Sequence, residues 1–131
     1  MKVLLTSAES LRVEPVGGPL TIEAATAELG YGPFHMIGSA LAICTLSVLQ
    51  SWATNKNFRI DDLRVDVSWT FAEKPHRVGA MTVTLEWPSL AADMWPRVLR
   101  VANLCGVHNT LTHPPVITVE AAGVPTIATA T

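Results

Sequence analysis

The stretch Pro33-Phe-His-Met-Ile-Gly-Ser-Ala-Leu-Ala-Ile-Cys-Thr-Leu-Ser-Val-Leu-Gln-Ser-Trp-Ala-Thr-Asn55 sets the architecture of this chain. It reads as one long helix. Pro33 suits a first turn, where the N–H it lacks would be unpaired anyway. At 1.5 Å per residue the helix is roughly 30 Å long, about the width of a small domain. No Asp, Glu, Lys or Arg occurs between Glu28 and Lys56. A helix apolar nearly all round is expected to be buried on all sides. Cys44 lies near its middle. Asn55 to Asn57 is polar and stops it.

A length of 131 residues implies one domain, here 1–131. N-terminal strands would occupy 1–32, the core 33–120 and a tail 121–131. The chain is 49% hydrophobic and 15% charged, so a partner subunit is expected to cover part of the apolar surface. A net charge of −2 provides no basic field and argues against nucleic acid as a partner. The apolar run after Met1-Lys2 is too short for a secretory core. The long helix could span a bilayer by length. Gly38, Ser39, Thr45, Ser47, Gln50 and Ser51 dilute it, however, and no second span follows, so no membrane is expected. The expected location is the cytoplasm, where two cysteines point to reactive thiols more than to a structural bridge.

Outward from the helix, the pattern changes to period two. Val3–Thr6, Leu11–Glu14 and Leu20–Glu23 read as strands, with a Pro-Gly turn at Pro15–Pro19. Beyond the helix, Leu63, Val65, Val67, Trp69 and Phe71 share one strand face. Met81, Val83, Leu85 and Trp87 share one face of the next, so the two segments form a hairpin around Glu73–Arg77. A second helix is expected from about Trp95, with Val98, Val101, Ala102 and Cys105 on one side and Gly106 at its C-terminal end. Val107–Thr112 reads as a short turn and Val116–Glu120 as a last strand. Strands, long helix, hairpin, helix and strand make an α+β fold, with helices on one side of an antiparallel sheet.

Two cysteines carry the candidate chemistry. Helix neighbours Ala40, Leu41, Ser47 and Val48 would keep Cys44 buried and inert. A reactive Cys44 therefore needs a cation from another element: Arg12, Arg64, Arg77 or His108. Otherwise it is a small core thiol. In Cys105-Gly-Val-His108, the histidine could lower a thiol pKa as imidazolium. The same spacing is half a zinc site, but two cysteines in all do not supply four ligands, so no metal or other cofactor is expected. His35 and His76 have no evident partners. No phosphate loop, nucleophile elbow or carboxylate pair occurs.

The Gly-Pro that opens a long apolar helix, Cys44 well inside it, a hairpin, and then a helix with Cys-x-Val-His together resemble the OsmC/Ohr family over about residues 20–120. (The names stand for osmotically inducible protein C and organic hydroperoxide resistance protein.) The resemblance implies an intertwined homodimer with buried central helices and active sites at the subunit interface. It implies a thiol-dependent hydroperoxide reductase. Cys44 would attack an organic hydroperoxide, Cys105 would resolve the sulfenic acid as a disulfide, and a dithiol would reduce the pair. It further implies a catalytic arginine from an N-terminal strand, and Arg12 is the only arginine before the helix. Where peroxidase members carry Glu after the helix-opening proline, this chain has Phe34. Where Cys-Pro is usual, it has Cys105-Gly106. The alternative is a small-molecule-binding or redox-sensing protein, with Phe34, Met36 and His108 in the pocket and Trp52, Trp69 and Trp87 as further apolar wall.

Overall fold

A computed structural model describes residues 2–7, 10–14 and 32–123. The chain forms two compact units, Met1–Gly30 and Tyr31–Thr131. In the first, β1 (Lys2–Ser7) pairs antiparallel with β2 (Ser10–Glu14), with Leu4 opposite Arg12. The expected strand Leu20–Glu23 and the Pro15–Pro19 turn lie outside the described residues.

The second unit begins with α1, Pro33–Asn55, on the span that the sequence pattern indicates. Its first turn is tied by the Gly32 N–H, which donates to His35 Nδ1 at 3.1 Å. This is the back-bond of a capping box, with histidine in place of the usual Glu or Gln. His35 also sets its ring edge-on to Trp69. It is therefore a capping residue, a role its sequence context did not suggest. At the other end, the Lys56 and Phe58 N–H groups return to the Ala53 carbonyl. Asn57 takes a left-handed φ of 56°, which asparagine tolerates and which ends the helix.

Only one stripe of α1 is buried: Gly38, Leu41, Thr45, Leu49 and Ala53. Met36, Ile37 and Leu46 stay exposed. The all-round burial expected from the composition is thus not reached among the described residues. Within the second unit, one hairpin and two short helices cover one side of a cylinder, not its whole circumference. α1 is long and apolar enough to cross a membrane; its buried stripe is where the other elements pack.

The hairpin follows the expected alternation. β3 (Arg64–Ala72) pairs with β4 (Arg77–Glu86), setting Val65 opposite Leu85, Val67 opposite Val83 and Trp69 opposite Met81. The register slips between Thr70 and Phe71, which faces Val78, leaving Gly79 as the extra residue of a bulge. A Cβ there would stand 2.7 Å from the Ala72 Cβ, so glycine is required by close approach. At the tip, Glu73 pairs with His76, whose ring stacks on Phe71. His76 thus also has partners that its sequence neighbours did not reveal.

Leu49, Ala53, Leu63, Trp87 and Val98 form the core, flanked by Trp52, Phe58, Ile60 and Leu85. The Trp87 indole N–H donates to the Arg59 carbonyl at 2.8 Å, which satisfies its one polar atom. Ser89 donates from both N–H and hydroxyl to Asp62 and fixes the turn out of the hairpin.

The C-terminal third departs from the sequence expectation. α2 spans Trp95–Ala102, with Pro96 in its first turn and Val98 fully buried. It stops before Cys105. Gly106 does not end a helix; it begins α3, Gly106–Thr112, in place of the expected turn. Val116–Glu120 pairs with no strand among the described residues, and Val116, Ile117 and Val119 are almost wholly exposed. Its alternation is strand-like, but a strand needs an edge to bond to. The architecture remains α+β: three α-helices and antiparallel two-stranded sheets.

Candidate active site

Cys105 replaces a serine or threonine as the N-cap of α3. Its Sγ accepts the His108 N–H at 3.4 Å, the bond an N-cap hydroxyl oxygen would accept. Capping turns the thiol inward, and Cys105 is fully buried. It also orients the first N–H groups of α3 toward the middle of α1, where Cys44 lies.

There the two cysteine side chains influence each other. Both cysteines are free, and no disulfide joins them. Burial pushes the Cys44 thiol up. A hydrogen bond from the Cys105 side chain and the backbone N–H groups of Val107 and Gly106 outweigh that and hold it below its ordinary value. Donors aimed at a sulfur favour its thiolate. Cys105 goes the other way. Burial pushes it up, and its bond to Cys44 adds to the rise; the His108 N–H and the Thr45 side chain oppose it, and the nearby Cys44 charge pushes it up again. The outcome is a half-buried Cys44 whose thiol is lowered and a buried Cys105 whose thiol is raised.

Of the cations expected to activate Cys44, Arg64, Arg77 and His108 are not among the groups that lower it. Arg64 and Arg77 lie on the hairpin, and Arg77 donates to the Glu73 and Pro75 carbonyls of its own turn. His108 contributes its backbone N–H to Cys105, not an imidazolium to Cys44. Arg12 lies on β2. Among the described groups, the Cys105 side chain and the Val107 and Gly106 N–H groups do the lowering. The local sequence concealed this, because Cys-Gly-Val-His resembles a helix end or a metal half-site more than an N-cap.

Cys44 opens into a groove of about 450 Å³, with Ser47, Val48, Ser51, Trp52, Val101 and Leu104 in its walls. A separate, larger cavity of about 920 Å³ lies among α1, β4, α2 and α3. Phe34 and His108 line it, with Leu41, Val83 and Leu111. Met36 is half exposed and is not in its wall. Of the tryptophans, Trp52 flanks Cys44, Trp69 covers Gly38 and Trp87 is core. Among the described residues no three His, Cys, Asp or Glu side chains converge as a metal site would require.

A family model described as OsmC-like protein matches residues 25–120. Among solved structures, the chain is similar to one from Psychrobacter arcticus 273-4, described as an osmotic stress induced and detoxification response protein. The TM-score is 0.56 at 18% identity, over 64% of this chain and 62% of that one. At that identity the likeness is one of fold. The chain spans less than two thirds of that protein's length. No curated protein matches.

Proposed function

The chain belongs to the OsmC-like protein family, and from that premise we propose that it is a thiol-dependent reductase of organic hydroperoxides, with Cys44 as nucleophile and Cys105 as resolver. The observation that carries the reading is the unequal pair: Cys44 lowered and reachable, Cys105 raised and buried beside it. A peroxide nucleophile must be a thiolate with access, and a resolver must be held within reach.

In the first step the Cys44 thiolate attacks the outer oxygen of the hydroperoxide. An S–O bond forms, the O–O bond breaks, and the alkoxide leaves with a proton from solvent. Cys44 is oxidised to a sulfenic acid. Cys105 then attacks the Cys44 sulfur. The S–S bond forms, the S–O bond breaks, and hydroxide leaves with the Cys105 proton as water. An external dithiol reduces the disulfide and is itself oxidised. Forming the disulfide requires the two sulfurs to close to about 2.05 Å. With Phe34 in the position of the family glutamate, the α3 donors take over part of the work of lowering Cys44. A homodimer completes the reading by covering the exposed side of α1.

The test is thiol titration after one equivalent of cumene hydroperoxide. Wild type should lose two thiols, Cys105→Ser one, and Cys44→Ser none. No loss in wild type, or equal loss in Cys44→Ser, overturns the proposal. A second reading, a small-molecule-binding protein with little turnover, is favoured by the separate cavity of about 920 Å³, which is within the usual size range of ligand pockets. It predicts saturable changes in tryptophan fluorescence with an apolar ligand and no peroxide consumption.

A further inference from the structure

The open cavity of about 920 Å³ among α1, β4, α2 and α3 has a one-sided chemistry. Its wall runs along α1 from Phe34 to Thr45, about 16 Å at the helical rise. Along β4 it runs from Arg77 to Leu85, about 26 Å at the strand rise. Leu41, Val83, Leu85, Leu99 and Leu111 make it largely apolar. No Asp or Glu lines it, and its ionisable wall residues, His76, Arg77 and His108, are all basic. An elongated apolar cavity with only basic ionisable groups suits a chain that ends in one anionic group and selects against a cation.

Arg77 stands at one end of the β4 wall and is exposed. Its Nη1 donates to the Glu73 and Pro75 carbonyls at 3.1 and 2.9 Å, which orients the guanidinium. Its Nε and Nη2 have no hydrogen-bond partner among the described residues. Glu73, the acid that could compete for them, is engaged by the His76 ring at 2.8 Å. That ring stacks on Phe71, and Phe71 meets Phe34 of the cavity wall edge to face, with centroids 5.2 Å apart. The hairpin tip thus holds a pair of N–H donors beside an aromatic wall. Parallel N–H donors of a guanidinium match the two oxygens of a carboxylate.

We propose that this cavity binds an aliphatic monocarboxylate, with the chain against the α1 and β4 walls and the carboxylate on Nε and Nη2 of Arg77. The proposal deepens the small-molecule-binding reading and rests on it. It requires no peroxide chemistry, since neither cysteine lines the cavity.

The test is calorimetric titration of the full chain with three ligands of one chain length: decanoate, 1-decanol and decyltrimethylammonium. Decanoate should bind saturably, one per chain, and at least about tenfold more tightly than the cation, the size of effect that a hydrogen bond to a charged group gives. Arg77→Gln should weaken decanoate about tenfold and leave decanol unchanged, which shows the cavity intact. Leu111→Trp, at a half-exposed wall position, should block both ligands. Cys44→Ser should bind decanoate as wild type does. Decanoate binding unaffected by Arg77→Gln or by Leu111→Trp overturns the proposal. If the cation binds as tightly as the acid, the carboxylate falls while the binding reading stands; if no ligand binds, both fall. Decanoate binding that appears only when a dimer dissociates assigns the cavity to a second copy and also overturns it.

Discussion

Cys44 on α1 and Cys105 at the N-cap of α3 are shifted in opposite directions of acidity. Burial raises the Cys44 thiol, but the Cys105 side chain and the Val107 and Gly106 N–H groups outweigh it and hold the thiol below its ordinary value. Burial pushes the Cys105 thiol up, and the neighbouring Cys44 adds to that rise.

Alkylation should report the asymmetry. Iodoacetamide should modify Cys44 with a half-maximal pH below the ordinary thiol value, and Cys105 should react only after unfolding. The linkage has two signs. The lowered Cys44 contributes stability that is full above the unfolded thiol pKa and is lost as pH falls through its folded value. The raised Cys105 contributes stability that is full below the unfolded thiol pKa and is lost as pH rises through its folded value. Equal reactivity of both thiols in the folded protein would contradict the assignment.

Gly106→Pro separates the N–H donors from the fold. Proline suits the first position of a helix, a side chain there meets nothing within 4 Å, and Cys105 already has the extended ψ of 127° that precedes proline comfortably. The variant should keep its circular dichroism but lose one donor to Cys44. The half-maximal pH of Cys44 alkylation should rise. An unchanged profile would show that the Gly106 N–H does not matter.

Gly38→Ala should destabilise the protein although it lies in a helix. Alanine gains up to about 1 kcal/mol in helix propensity. The new Cβ would stand 2.8 Å from Trp69 Cζ3, and overpacking against a rigid ring costs about 1–3 kcal/mol. The overpacking term wins, so the expected net loss in urea denaturation is on the order of 1 kcal/mol.

Leu49→Ala removes a fully buried side chain at the centre of the core. The expected loss of unfolding free energy is about 2–5 kcal/mol. Denaturation midpoints should fall accordingly, with the larger values if the cavity does not collapse.

Leu46→Glu tests the homodimer proposal. Leu46 is an exposed apolar side chain of α1. Sedimentation should show a wild-type dimer and a Leu46→Glu monomer, since a buried unpaired carboxylate is costly. A monomeric wild type at micromolar concentration would sink the proposal.

Much of this could be read from the chain itself. The ends of α1, the alternation of β3 and β4 and the start of α2 all follow from local pattern, because proline, polar stops and side-chain period act within a few residues. The two cysteines were also legible as the residues to watch. Three features were not. Residues 103–112 were misread because Cys105 caps through sulfur, a use that its residue type does not advertise, and because Gly106 looks like a helix end. Val116–Glu120 alternates like a strand, yet strand formation depends on an edge that no local pattern supplies. The partial burial of α1 depends on how many elements surround it.

The sequence by itself determined α1, the β3–β4 hairpin, the start of α2, the α+β class and the pair of thiols, since these rest on short-range sterics, hydrophobic period and composition. Only the tertiary structure decided what each thiol is. Cys44 has neighbours along its own helix that would leave it inert. It is made acidic by donors sixty residues away in sequence, because acidity depends on groups within a few ångströms in space, and α3 brings those groups to the middle of α1.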